Sequence, residues 1–81
     1  MCNYLTFEET CILIGKNIKN YRLKKGFSLK DLSQKTNISQ TYLKKIENGT
    51  ATRMKIVKHL LSIAKALEVN LSTLFNEIGG N

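Results

Sequence analysis

The stretch SLKDLSQKTNISQTYLKKIENG, residues 28–49, decides the fold of this 81-residue chain. Ser28 and Asp31 have the spacing of a helix N-cap signature, and Ser39 is placed to cap a second helix. Between them, Asn37 is one of the few side chains that tolerate the left-handed backbone of a tight turn. The stretch therefore predicts two short helices, over residues 29–36 and 40–48, joined by a tight turn and ended by Gly49.

Helical periodicity continues before this pair. Thr6 and Glu9 form a capping box, and Gly26 would end the helix that follows it. Its apolar residues recur at three- and four-residue steps: Phe7, Cys11, Ile14, Ile18 and Tyr21. We predict a first helix over residues 7–25, which Gly15 could interrupt.

Two further helices are predicted after the pair. The fourth covers residues 53–67, and its expected inward residues are Val57, Leu60, Leu61, Ala64 and Leu67. The fifth is capped by Asn70 and carries four apolar residues: Leu71, Leu74, Phe75 and Ile78. Strand patterns are weak, so we predict an all-α fold of five helices around one compact core.

The chain has no proline, no low-complexity tract and no internal repeat that would indicate a linker. We expect a single domain over residues 1–81, with its core at 14–76. Residues 1–5 are expected to be flexible, and residues 6–13 to extend the first helix at its N-terminus.

Positive charge is concentrated in the middle of the chain. Residues 16–58 hold twelve of the 13 lysines and arginines but only two acids, Asp31 and Glu47. Solubility alone would be served by charge of either sign anywhere on the surface. Because the basic residues are confined to one segment, their distribution favours a surface that faces a polyanion.

Several other classes of protein are disfavoured. No apolar run is long enough to cross a membrane, and no charged leader precedes an apolar stretch, so we expect a cytoplasmic protein. Cys2 and Cys11 form no disulfide framework and fit small buried hydrophobes in a reducing compartment. With His59 they lack paired ligand spacing, and we predict no metal and no cofactor. No nucleophile–base–acid set or glycine-rich phosphate loop indicates an enzyme.

The order IGKNIKNYRLKKGFSLKDLSQKTNISQTYLKKIENG, residues 14–49, followed by IAKALEVNLSTLF, residues 63–75, resembles the lambda-repressor and Cro-like (XRE-type) helix-turn-helix family. The similarity covers residues 14–76. The most specific positions are Gly15, Ile18, Arg22, the skeleton Leu32, Ile38, Leu43 and Ile46, the Glu47-Asn48-Gly49 end, and Ala66-Leu67 with Val69. The resemblance implies a lambda-repressor-like DNA-binding domain whose third helix enters the major groove.

This chain departs from the family pattern at four positions. Leu29 stands where the family usually has Gln, and Ser33 where a small Ala is common. Thr36 replaces the usual aliphatic residue, and Asn37 replaces the usual turn glycine.

The third helix can be sorted by angle. Leu43 and Ile46 point inward, so the opposite face carries Thr41, Lys44, Lys45 and Asn48. Amides, ammonium groups and hydroxyls can bond to base edges in the major groove. The resemblance assigns base reading to Gln40, Thr41 and Lys45, with Lys44 reading a base or a phosphate. The alternative interpretation is an ordinary solvated helix face.

Other roles also follow from the resemblance. It implies phosphate contacts from Ser28, Asn48, Arg53 and Lys55. It also implies a structural ion pair between Arg22 and Glu47, which would remove a carboxylate from the DNA-facing side. Related proteins form symmetric dimers through apolar residues near this end of the domain, and the corresponding residues here are Leu71, Leu74, Phe75 and Ile78.

Together these implications predict a sequence-specific transcriptional regulator that binds double-stranded DNA. We expect a repressor that binds a palindromic operator as a homodimer and is associated with the nucleoid. The alternative is a protein-interaction module, such as an antitoxin or accessory subunit, with a protein partner and secondary DNA binding. Such a module would be expected to lose the amide-and-base face of the third helix, and this chain keeps it.

Overall fold

The computed structural model describes residues 6–51 and 53–76, apart from the side chains of 53–55. These residues form four α-helices, a short 3-10 helix and no strand. The elements are α1 (Phe7–Lys24), α2 (Leu29–Thr36), α3 (Gln40–Glu47), α4 (Arg53–Leu67) and the 3-10 helix (Leu71–Phe75). The all-α prediction is confirmed. The predictions for residues 1–5, Cys2 and Ile78 lie outside the described residues.

Side-chain caps fix where the first three helices begin. In α1, the Thr6 hydroxyl accepts from the Glu9 amide at 3.0 Å, and the Glu9 carboxylate accepts from the Thr6 amide at 2.9 Å. Ser28 and Asp31 form the same reciprocal box at the start of α2, with distances of 3.0 and 2.8 Å. Ser39 caps α3 by accepting from a backbone amide at 3.1 Å. All three predicted caps are therefore confirmed.

Left-handed residues end the helices. Gly26 (φ 75°) follows α1 and Gly49 (φ 78°) follows α3, where glycine meets no steric penalty. Asn37 (φ 64°) ends α2 as predicted, and Glu68 (φ 60°) takes the same conformation after α4. These turns reverse the chain over a few residues, so that the helices pack around one core.

The core draws on every helix. It consists of Cys11, Ile14, Ile18, Leu32, Ile38, Leu43, Ile46, Ile56, Leu60, Ile63, Ala64, Leu67 and Leu74. Gly15 does not interrupt α1, and it lies where α1 crosses the end of α3. A Cβ at Gly15 would stand 2.3 Å from the Ile46 carbonyl oxygen, so only glycine permits this close approach.

The predicted inward face of α4 is partly wrong. Leu60, Ala64 and Leu67 are buried as expected, but Val57 and Leu61 are 63% and 60% exposed. The core instead receives Ile56 and Ile63. Two apolar stripes lie about 100° apart on α4, and its packing against α2 and the 3-10 helix decides which of them is buried.

The predicted fifth helix is also corrected. Residues 71–75 form a 3-10 helix rather than an α-helix, and Asn70 makes no side-chain cap. The element has only five residues, and 3-10 geometry is typical of such short helical segments. No helix in the described ranges has the length and hydropathy needed to cross a membrane.

Candidate nucleic-acid interface

The turn between α2 and α3 is held by two hydroxyl groups. Ser33 Oγ donates to the Ile38 carbonyl at 2.5 Å. Thr36 Oγ1 donates to the Leu32 carbonyl at 2.8 Å and accepts from the Ile38 amide at 3.3 Å. Two of the family departures therefore satisfy backbone groups that a tight turn leaves without helical partners. Sequence reasoning missed this role because it treated both residues only as packing substitutions.

The inner face of α3 fixes the helix to the domain. Leu43 and Ile46 are fully buried, as predicted, and Glu47 is buried beside them. The remaining polar side chains are all exposed: Gln40, Thr41, Lys44, Lys45 and the C-cap residue Asn48. The structure thus brings together on one open face every base-reading residue that the resemblance implied.

None of these five exposed side chains is hydrogen-bonded to another residue that the structure describes. They are held only through the backbone of α3 and its buried face. Their amide, hydroxyl and ammonium groups therefore remain available to an external partner.

Arg22 of α1 holds the carboxylate of Glu47. The Nε–Oε2 distance is 2.6 Å and the Nη2–Oε1 distance is 3.1 Å, so the pair is bidentate. Arg22 Nη1 also donates to the Phe27 carbonyl at 2.8 Å. The two side chains are only 9% and 5% exposed. The one acid in α3 is consequently directed into the domain and away from the exposed face.

The structure describes the side chains of two of the four residues predicted to contact phosphate. Asn48 and Ser28 are exposed. The Ser28 amide donates to the Asp31 carboxylate and its hydroxyl accepts from the Asp31 amide, so both groups also serve the cap of α2. The side chains of Arg53 and Lys55 lie outside the described residues.

Two other acids are held in local interactions. The Ser28 amide and hydroxyl bond to Asp31 and hold the pKa of that carboxyl below its usual value. Lys25 pairs with Glu68 at 2.5 Å and lowers the pKa of that carboxyl through the hydrogen bond and its charge. Lys25 is therefore already engaged, whereas Lys44 and Lys45 are not.

Sequence reasoning also missed Asn17. This buried side chain donates from Nδ2 to the Leu74 and Asn76 carbonyls, both at 2.7 Å. It fastens the end of the 3-10 helix to α1. The clue available in the sequence was an amide between Ile14 and Ile18, beside the apolar stripe of α1.

The predicted dimer surface needs one correction. Leu74 is fully buried in the core and cannot contact a second chain, because its side chain is enclosed by its own domain. Leu71 and Phe75 are 41% and 44% exposed. Val57 and Leu61 of α4 are additional exposed apolar residues that sequence reasoning had assigned to the core.

Cys11 lies in the core at 3% exposure, as a small hydrophobe would. Within the described residues, no three His, Cys, Asp or Glu side chains are grouped so as to hold a metal ion.

The comparisons with known proteins agree with this geometry. The Helix-turn-helix family model matches residues 18–74. The HTH-type transcriptional regulator SinR of Bacillus licheniformis is 38% identical over 65 residues, which cover 80% of this chain and 58% of that regulator. This chain therefore spans little more than half the length of that curated relative.

Two solved structures are also similar. The master regulator for biofilm formation SinR in complex with DNA has 36% identity and a TM-score of 0.69, covering 78% of this chain and 98% of that one. An HTH_3 family transcriptional regulator from Vibrio cholerae has 31% identity and a TM-score of 0.77. That match covers 86% of this chain and 38% of the other.

Proposed function

The chain belongs to the helix-turn-helix family whose model spans residues 18–74, and on that premise we propose that it is a sequence-specific, double-stranded-DNA-binding transcriptional regulator. In this proposal α3 lies in the major groove, and Gln40, Thr41, Lys44 and Lys45 meet base edges. Ser28, Asn48, Arg53 and Lys55 contact the phosphate backbone and set the register of the protein on the duplex.

The observation that carries the proposal is the distribution of buried and exposed side chains around α3. Its apolar residues and Glu47 are buried, while its amide, hydroxyl and lysine side chains are exposed. A carboxylate beside DNA would be repelled by phosphate, and Arg22 keeps the one carboxylate of α3 inside the domain. The resulting face offers donors and positive charge, as a major-groove reading helix requires.

The relatives support the same proposal. One is named a transcriptional regulator, and a similar chain has been solved in complex with DNA. The similar SinR–DNA structure is matched over 98% of its length, so the likeness extends through the whole of that chain.

We further propose that the regulator acts as a homodimer and as a repressor. Leu71 and Phe75 are exposed apolar residues on the 3-10 helix, and a second copy of the chain would cover them. A two-fold dimer would present two α3 helices to half-sites roughly 34–36 Å apart on a palindromic operator. Occupancy of such an operator would exclude polymerase. We also propose a cytoplasmic location on the nucleoid.

A selection from a random duplex pool at near-physiological salt tests this function. We expect enrichment of an inverted repeat with a fixed half-site spacing. Gln40→Ala and Lys45→Ala should each relax the preference at one base position by about 1–3 kcal/mol without changing the fold.

Lys19→Ala is the matched control, because Lys19 is exposed on α1 and lies outside the exposed face of α3. This variant should keep the base preferences of the unchanged protein. An enriched pool without any repeat, and with affinity that depends only on salt, would contradict sequence-specific recognition. The search would then turn to a protein partner.

A further inference from the structure

A cleft lies beside the exposed face of α3, where the turn after α2 meets α4. Its volume is about 400 Å³, within the range of roughly 300–1,000 Å³ that is typical of small-ligand sites. Its lining residues are Asn37, Ile38, Ser39, Tyr42, Lys58 and His59. The proposed contacts of the DNA interface use none of these residues.

The lining offers hydrogen-bond donors and no carboxylate. Lys58 supplies a positive charge, and the His59 ring and the Asn37 amide supply further donors. Ser39 Oγ accepts from the Tyr42 amide at 3.1 Å, which leaves its hydroxyl hydrogen to donate elsewhere. Such a lining suits an anion with several acceptor oxygens, as in a phosphate group.

The walls of the cleft are held by an aromatic contact. The rings of Tyr42 and His59 meet edge to face, with centroids 5.6 Å apart and planes at 67°. This contact joins α3 to α4, and Lys58 directly precedes the half-buried His59. Lys58 and His59 therefore stand on a packed helix, and Ser39 stands at the N-cap of α3.

The position of the cleft relates it to the proposed DNA surface. Ser39 immediately precedes Gln40, and Tyr42 immediately follows Thr41. A duplex that presents its major groove to Gln40 and Thr41 brings the bordering sugar-phosphate backbone to the flank of α3.

We propose that this cleft binds a phosphate group, with Lys58 as its charged contact and His59 and Ser39 as hydrogen-bond donors. The proposal rests on the proposed function for its first source of phosphate, the backbone of a bound duplex. A free phosphorylated molecule offers the same chemistry, and the experiment below separates the two sources.

The first arm measures DNA affinity of the Lys58→Gln variant against salt concentration. Loss of one phosphate contact should weaken binding about fivefold at about 0.15 M salt and reduce the slope of log affinity against log salt by about one. The loss should be equal for preferred and random duplexes, because phosphate contacts carry no base information.

Lys65→Gln is the matched control, since it makes the same charge change on the same helix, two turns from Lys58 and outside the cleft. It should leave both the affinity and the slope nearly unchanged. Equal losses in both variants would mean that Lys58 contributes only general charge, and would overturn a DNA phosphate in this cleft.

The second arm uses inorganic phosphate without DNA. Backbone NMR signals of Ser39, Lys58 and His59 are followed in the full chain at constant ionic strength. If the source is a free phosphorylated molecule, the shifts should saturate and be lost in Lys58→Gln, while DNA affinity stays unchanged in that variant. His59→Phe, which keeps a ring against Tyr42 but removes the ring nitrogens, should weaken the same saturable response.

The two proposals fail in different ways. If the unchanged protein selects no DNA sequence, the proposed function is contradicted, and the phosphate titration alone decides the cleft. If Lys58→Gln binds DNA as tightly as the unchanged protein and phosphate gives no saturable shift, the cleft proposal is overturned whatever the DNA selection shows.

Discussion

At the scale of single residues, Glu47 shows how an acid can belong to the helix that we propose faces DNA. Its carboxylate meets Arg22 through two hydrogen bonds, and Arg22 also holds the Phe27 carbonyl after α1. The pair therefore connects three places: α1, the turn that ends it, and α3. The resemblance implied this pair, but the contact with Phe27 depends on the left-handed turn at Gly26 and was not visible in the sequence.

Glu47→Ala is expected to destabilise the domain by about 3–5 kcal/mol, because it strands the buried guanidinium of Arg22. It should not improve DNA binding. Urea unfolding followed by circular dichroism measures the change. The double variant Arg22→Met with Glu47→Met should recover much of the loss, since no buried charge then remains unpaired.

The exposed pair of Lys25 and Glu68 provides the control for that experiment. Lys25→Ala breaks an ion pair whose partners are 36% and 74% exposed, so unfolding should change little. Cooperative unfolding at unchanged urea concentration in Glu47→Ala, together with tighter DNA binding, would contradict the structural role of the pair.

Gly15→Ala is expected to destabilise the domain although alanine favours helices. The added Cβ would lie 2.3 Å from the Ile46 carbonyl oxygen and 2.7 Å from that of Glu47, so the backbones must separate. Such overpacking costs about 1–3 kcal/mol, against a propensity gain of about 1 kcal/mol. Thermal unfolding should show a lower midpoint, whereas Ser62→Ala at an exposed position of α4 should not. An unchanged midpoint for Gly15→Ala would mean that the crossing is not tight.

At the scale of elements, the boundaries of the first three helices were predictable because side-chain caps and turn residues mark them locally. The bounds of α2 and α4 match the prediction, and α1 and α3 differ from it by one residue each. The inward face of α4 was not predictable in the same way. Both of its apolar stripes have helical spacing, and only contact with other elements selects Ile56 and Ile63 over Val57 and Leu61.

The sequence carried less information about the segment after α4. Four apolar residues after Asn70 suggested a fifth helix, but periodicity cannot distinguish one short α-helical turn from a 3-10 helix. The 3-10 helix ends at Phe75. The Asn17 side-chain amide donates hydrogen bonds to the carbonyls of Leu74 and Asn76 on either side of that end. That long-range contact joins residues almost sixty positions apart and lies beyond local rules.

The cap of α2 is expected to make its stability depend on pH. The folded-state pKa of Asp31 is lowered from 3.8, so the carboxylate stabilises α2 above that pH and ceases to do so as pH falls through the folded pKa. Asp31→Asn should therefore lose stability at neutral pH, and the difference from the unchanged protein should shrink at about pH 3. Urea unfolding at both pH values measures it, and a constant difference would exclude the carboxylate charge as its source.

At the scale of the whole molecule, the exposed face of α3 is polar and basic, and the exposed large apolar side chains of the described residues lie on other elements. The polar and basic groups of α3 form the proposed DNA surface, while the exposed apolar residues stand on α1, α4 and the 3-10 helix. The charge distribution along the sequence indicated the first surface. The second was only half predicted, because Leu74 belongs to the core and Val57 and Leu61 do not.

Phe75→Ser is expected to weaken the proposed homodimer, because it removes an apolar ring that is 44% exposed on the 3-10 helix. Sedimentation over a range of protein concentrations should shift towards monomer, and affinity for a palindromic duplex should fall more than affinity for a single half-site. Leu23→Ser, at a residue 57% exposed on α1, should leave the association unchanged. A monomer at all concentrations in the unchanged protein, with and without DNA, would contradict the dimer.

The separation of buried and exposed side chains on α3 has a consequence for how the proposed regulator can evolve. Leu43, Ile46 and Glu47 attach the helix to the domain, whereas the exposed side chains hold on to no described neighbour. Substitutions at the exposed positions therefore carry almost no penalty in folding. If α3 reads DNA as proposed, a lineage can change the base sequence that it recognises while keeping the same scaffold, and two paralogues can diverge in target long before they diverge in fold.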